Sequence, residues 1–146
     1  MQPLKGLMAM SWTSHYLSTV ASEYLETESF LVHYVKKGSG PPLILIHGGG
    51  VWLYTFRHNM GHLAQSFTVY APDMPGYGYT IPRSDNQAYG LEASALFLLD
   101  FMNRLGIGRA SLLGHSWGGG WALAFASRYP QRVDRALTRT ISSRMP

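Results

Sequence analysis

The chain has 146 residues, 46% of them hydrophobic and 14% charged, a balance that excludes a disordered polypeptide and suits one packed domain burying roughly 70% of its unfolded surface. It has no cysteine, which excludes a disulfide framework and a thiolate metal site. The net charge of +4 gives no basic stripe for nucleic acid, because residues 128–146 hold five arginines against Asp134 alone and residues 1–127 are neutral.

Residues 1–20 show no period and read as a poorly defined extension, with Met8 and Met10 as alternative starts. Glu23–Thr27 and Phe30–Lys36 alternate as two short strands, with Glu28-Ser29 turning between them. Gly38-Ser39-Gly40-Pro41-Pro42 is a loop. Leu43–Ile46 is apolar on both faces, as a central strand of a parallel sheet must be, and His47-Gly48-Gly49-Gly50 ends it. Leu53, Phe56, Met60 and Leu63 predict a short helix over residues 53–65. Phe67–Ala71 is a buried strand, and Asp73-Met74-Pro75-Gly76-Tyr77-Gly78 is a loop. Leu91, Ala95, Leu98, Leu99, Met102 and Leu105 form one helical stripe, which Gly106 stops. Ala110–Leu113 is a third buried strand and Trp117–Arg128 a small-residue helix closed by Tyr129-Pro130. After the first two strands, strand and helix alternate, which implies right-handed crossovers and a parallel sheet with helices on both faces.

The candidate site is Gly114-His115-Ser116-Trp117-Gly118, a G-x-S-x-G run between a strand and a helix. A sharp strand-to-helix turn strains the central residue and lifts the Ser116 hydroxyl above the sheet edge. A side chain at Gly114 or Gly118 would collide with the neighbouring strand or helix. The Trp117 N–H falls at a helix N-terminus, where unpaired donors and the dipole favour an anion. Gly48, Gly49 and Gly50 leave backbone free to approach a substrate, so Gly49 and Trp117 together form a candidate oxyanion hole. Trp52 and Trp117 flank that position and are candidate pocket walls.

Taken in order, Gly38–Pro42, His47–Gly50, Asp73–Gly78, Gly114–Gly119 and Arg128-Tyr129-Pro130-Gln131-Arg132-Val133 resemble the α/β-hydrolase superfamily from about Tyr24 to Val133. The resemblance implies an N-terminal half of that fold over residues 21–135, with the C-terminal strands and cap missing. It implies Ser116 as nucleophile and the Gly49 and Trp117 amides as oxyanion hole, with the Asp73–Gly78 loop mainly structural. Dehalogenases and epoxide hydrolases of the superfamily carry an aspartate at the elbow, so Ser116 points instead to ester, amide or carbon–carbon bond hydrolysis.

A serine hydroxyl needs an adjacent base, and in this superfamily the acid and histidine follow the serine. All six histidines (His15, His33, His47, His58, His62 and His115) precede or adjoin it, and Asp134 is the only later carboxylate. His115 is expected to point away from Ser116, and His47 to prop the glycine turn. His58 and His62 have metal-compatible spacing but no H-E-x-x-H context, so no metal is expected. Gly48-x-Gly50, Gly76-x-Gly78 and Gly118-x-Gly120 each lack the third glycine of a dinucleotide site, so no cofactor is expected. Residues 136–146 read as an irregular basic tail, the frame being lost near Arg135. The strand ending at Gly114 would then have an open edge and invite self-association. The two readings are a serine hydrolase acting on a small-molecule substrate and a catalytically incomplete domain that binds or self-associates. No apolar run reaches ~18 residues and no signal-peptide core is evident, so a cytoplasmic protein with no membrane partner is expected.

Overall fold

A computed structural model describes residues 16–139. Met8, Met10 and His15 of the extension, and the tail beyond Arg139, lie outside the described residues. The strands are β1 (Ser22–Glu26), β2 (Phe30–Lys37), β3 (Pro42–Ile46), β4 (Thr68–Pro72), β5 (Ile81–Pro82), β6 (Ala110–His115) and β7 (Val133–Arg139). The helices are α1 (Met60–Leu63), α2 (Leu91–Arg104) and α3 (Trp117–Arg128).

One sheet runs β1-β2-β4-β3-β6-β7, with the short β5 paired to β2. β2 pairs antiparallel with β1 and β4, whereas β3 pairs parallel with β4 and β6, and β6 with β7. The apolar-on-both-faces reading of β3 has a direct cause. Ile44 and Ile46 enter the core that α2 and α3 cover, and Leu43 and Leu45 enter the core under Leu53, Phe56 and Met60. Strand alternation thus sends successive side chains into two separate interiors.

α2 fits its sequence stripe at Ala95, Leu98 and Met102, but Leu91 is exposed, and Phe97 and Phe101 are buried alongside them. Phe101 stands edge-on to Tyr34 from β2, ring centroids 5.3 Å apart. Its end is a Schellman motif: Gly106 has φ +68°, its N–H donates to the Asn103 carbonyl (3.1 Å), and Ile107 N–H donates to the Met102 carbonyl (2.9 Å).

Three expectations need correction. The single helix over residues 53–65 is a 3₁₀ turn at Leu53–Phe56 followed by the one-turn α1. The spacing of Leu53, Phe56, Met60 and Leu63 fits either arrangement, because both put those side chains on one side. The irregular tail does not begin at residue 136: Ala136–Arg139 complete β7. Backbone pairing is blind to the threonine and arginine side chains, and only Val133 and Ala136 pack on the core. Among the described residues the edge therefore lies at β7, and β6 is an interior strand. Leu112 pairs with Ala136 and Leu113 with Leu137.

Candidate active site

β3 and β6 are parallel neighbours in register, Ile46 opposite Gly114. The glycine loop after β3 and the serine turn after β6 therefore leave the same end of the sheet side by side. Open parallel sheets bind ligands at that carboxyl end.

Ser116 is the one non-glycine residue with positive φ among the described residues, at φ +55° and ψ −121°. Two backbone bonds hold the turn, Ser116 N–H to the Arg139 carbonyl and Gly119 N–H to the Ser116 carbonyl, each 2.9 Å. The flanking glycines are sterically required. A Cβ at Gly114 would overlap the Gly118 carbonyl oxygen and stand 2.6 Å from Gly119 Cα. A Cβ at Gly118 would overlap the Ile46 carbonyl oxygen and stand 2.6 Å from that of His47. α3 can thus sit hard against β3 only with glycine at 118. Ser116 is exposed at the head of α3.

The glycine loop meets the turn closely. A Cβ at Gly48 would stand 3.1 Å from Ser116 Cβ, and one at Gly49 would stand 3.6 Å from Trp117 Cγ. Gly50 takes φ +74°. His47 fixes this loop from beneath and is fully buried. Its Nδ1–H donates to the Gly48 carbonyl (2.7 Å) while Nε2 accepts the Met74 N–H (2.9 Å). Burial pushes the imidazole below its ordinary range, against the opposing pull of the Gly48 carbonyl and the Asp73 carboxylate. His47 is thus a strut between two loops, with both ring nitrogens committed.

Asp73 is the other buried anchor. Its Oδ1 accepts Leu53 N–H (2.8 Å), and its Oδ2 accepts Tyr79 N–H (2.9 Å) and bonds His33 Nδ1 (2.8 Å). The Asp73–Gly78 loop is therefore held from three sides. It brings Tyr77 to a cavity of about 450 Å³ lined also by Trp117, Trp121, Tyr89 and Ser94, within the size range of small-molecule pockets. Trp52 is not on those walls. It stacks on Tyr54 (5.5 Å) and meets Tyr79 edge-on (5.4 Å). Tyr89 and Ser94, which the sequence did not single out, come to the cavity because Gly90 (φ +118°) turns the chain into α2 there.

The remaining histidines fall elsewhere. His58, His62 and His115 line a second cavity of about 580 Å³, floored by Phe56, Leu113 and Leu137 on the other face of the sheet. Among the described residues no group of three or more His, Asp or Glu side chains is placed to hold a metal. No described imidazole hydrogen-bonds the Ser116 hydroxyl. Among the described residues no helix is long and apolar enough to cross a membrane.

A mostly parallel sheet, flanked by helices and carrying a strained serine between strand and helix, defines an α/β hydrolase. The chain belongs to the α/β hydrolase fold family, whose profile matches residues 41–145. It is similar to an uncharacterized protein of Mycobacterium tuberculosis, 45% identical over 101 residues, which are 68% of this chain and 29% of that protein. It is also similar to bifunctional epoxide hydrolase 2 of Sus scrofa, 37% identical over 79% of this chain and 21% of that one. Among solved structures, naproxen esterase from Bacillus subtilis superposes with a TM-score of 0.78 at 29% identity, covering 85% of this chain and 45% of the esterase. The chain thus spans less than a third of these curated relatives and under half of the esterase.

Proposed function

We propose that the chain carries the nucleophile half of a serine hydrolase, with Ser116 attacking an ester, amide or carbon–carbon substrate. The observation that carries this reading is the left-handed backbone of Ser116. A serine held at φ +55° costs about 1–3 kcal/mol, and steric glycines on both sides maintain it. The substrate carbonyl would sit above the turn, its oxygen receiving the Gly49 and Trp117 N–H groups. Negative charge developing there is favoured by the α3 N-terminus, and one such donor is worth about 10²–10³ in rate. The Tyr77–Trp117–Trp121 cavity would take the apolar part of the substrate. The likeness to naproxen esterase supports an ester. A serine at 116, where an aspartate would be needed, speaks against epoxide opening despite the likeness to an epoxide hydrolase.

One observation favours a second reading, a domain with no catalysis of its own that binds or self-associates. Among the described residues no imidazole reaches Ser116, so no general base is in place there. Turnover of p-nitrophenyl acetate by the folded chain separates the two. A burst that falls in Ser116→Ala supports the hydrolase. Equal bursts and rates in the two proteins would overturn Ser116 as the nucleophile, and no turnover above background in either would support the second reading.

A further inference from the structure

A serine, a histidine and an aspartate do line up in this molecule, across β1, β2 and the end of β4. Ser22 Oγ on β1 is 2.6 Å from His33 Nε2 on β2. His33 Nδ1 is 2.8 Å from Asp73 Oδ2, just after β4. The antiparallel pairings β1–β2 and β2–β4 bring the three together, with Ser22 opposite Val35 and Tyr34 opposite Pro72. Asp73 and His33 are fully buried, and Ser22 is exposed.

The proton positions follow from the partners. An ionised carboxylate only accepts, so His33 carries its proton on Nδ1 and leaves Nε2 to accept the Ser22 hydroxyl proton. The Leu53 and Tyr79 N–H groups lock the carboxylate, and His33 N–H donates to Thr80 Oγ1 (3.0 Å). The titratable groups facing His33 are Asp73, Tyr24 (ring centroids 5.1 Å apart) and Tyr79 (5.3 Å). A nucleophile bonded to a base, and that base oriented by a buried carboxylate, is the geometry of an activated serine wherever it occurs in a fold.

We propose that Ser22 is a second nucleophile of this chain, activated by His33 and positioned through Asp73, that is acylated or phosphonylated by small activated esters and fluorophosphonates. With a fluorophosphonate, an Oγ–P bond forms, the P–F bond breaks and fluoride leaves. The hydroxyl proton passes to His33 Nε2. With an aryl ester, the Oγ–acyl bond forms and the phenolate leaves, taking that proton. Water then attacks the acyl carbon, releasing the acid and restoring the Ser22 hydroxyl.

The test is site-resolved labelling of the full chain with an alkyl fluorophosphonate, followed by proteolysis and fragment-ion mapping. Ser39 is the comparator, since it is exposed in a loop. A positioned base contributes about 10²–10⁴ in rate. Ser22 is expected to label at least about 100-fold faster than Ser39. His33→Gln, checked for folding by circular dichroism, is expected to remove that advantage. Labelling of Ser22 no faster than Ser39, or unchanged in a folded His33→Gln variant, would overturn the proposal. If His33→Gln does not fold, the wild-type rate ratio still decides. Because Ser22 and Ser116 lie in different tryptic peptides, this outcome is independent of the elbow reading.

Discussion

Adding one methyl group at Gly118 should destabilise the fold, whereas adding one at Gly120 should stabilise it, although both lie in the first turns of α3. A Cβ at 118 would overlap the Ile46 carbonyl oxygen and come within 2.7 Å of the Ile46 carbonyl carbon and 2.6 Å of the His47 oxygen. All three are backbone atoms, at the end of the central strand β3 and the residue after it, so no rotamer change relieves the contact. Overpacking of this kind costs about 1–3 kcal/mol and more where backbone must move. Gly118→Ala is therefore expected to cost ~3 kcal/mol, from a total that for such domains is about 5–15 kcal/mol. At 120 the nearest atom to an added Cβ is Leu91 Cδ2 at 3.8 Å, an ordinary contact. There the helix propensity of alanine dominates, and Gly120→Ala should gain about 0.5–1 kcal/mol. Urea unfolding followed by circular dichroism reads both. With a slope of ~1.5 kcal/mol/M, the 118 variant loses about 2 M in midpoint and the 120 variant gains about half a molar. A Gly118→Ala loss below about 0.5 kcal/mol would refute the claim that α3 is pressed against β3.

Further outcomes follow from the same geometry. Ser116→Gly is expected to raise stability by about 1–2 kcal/mol, because glycine holds φ +55° without the penalty serine bears; the same urea melts check it. His47 is held neutral, its folded pKa lying below the ordinary value of 6.5 mainly through burial. The unfolded state then binds more protons just below pH 6.5. This contribution to stability is thus present above about pH 6.5 and is lost as pH falls through the folded pKa. An NMR titration should show the His47 ring titrating below the ordinary value of 6.5, and a ring titrating at or above 6.5 would contradict the strut. Leu137 is 63% exposed on β7, which has no strand on its outer side among the described residues. We propose that this edge self-associates. Sedimentation of Leu137→Lys should show less association than wild type, since edge lysines disfavour strand pairing.

The strand and helix succession was legible because β3, β4 and β6 carry largely apolar buried runs, Gly106 stops α2 and Tyr129-Pro130 closes α3. The serine turn was legible because its steric demands fall on residues adjacent in sequence, Gly114 and Gly118. Other features depend on tertiary pairing that no local pattern encodes. Ala136–Arg139 forms a strand because β6 offers an unpaired side, whatever polar residues follow. Trp52 belongs to the Tyr54–Tyr79 cluster, a placement decided by the 3₁₀ turn at Leu53–Phe56. The Ser22–His33–Asp73 alignment is formed by residues up to 51 positions apart, joined only by strand register. A histidine on a strand gave no local sign of it.

The central claim, that the elbow presents Ser116 as a nucleophile, is tested most directly by fluorophosphonate labelling of the folded chain. Cleavage after Arg109 and Arg128 isolates residues 110–128, and fragment ions separate Ser116 from Ser111 and Ser127. The expected result is an adduct on Ser116, absent from Ser116→Ala and from urea-unfolded chain. A folded wild-type chain that gains no adduct at Ser116 would contradict it.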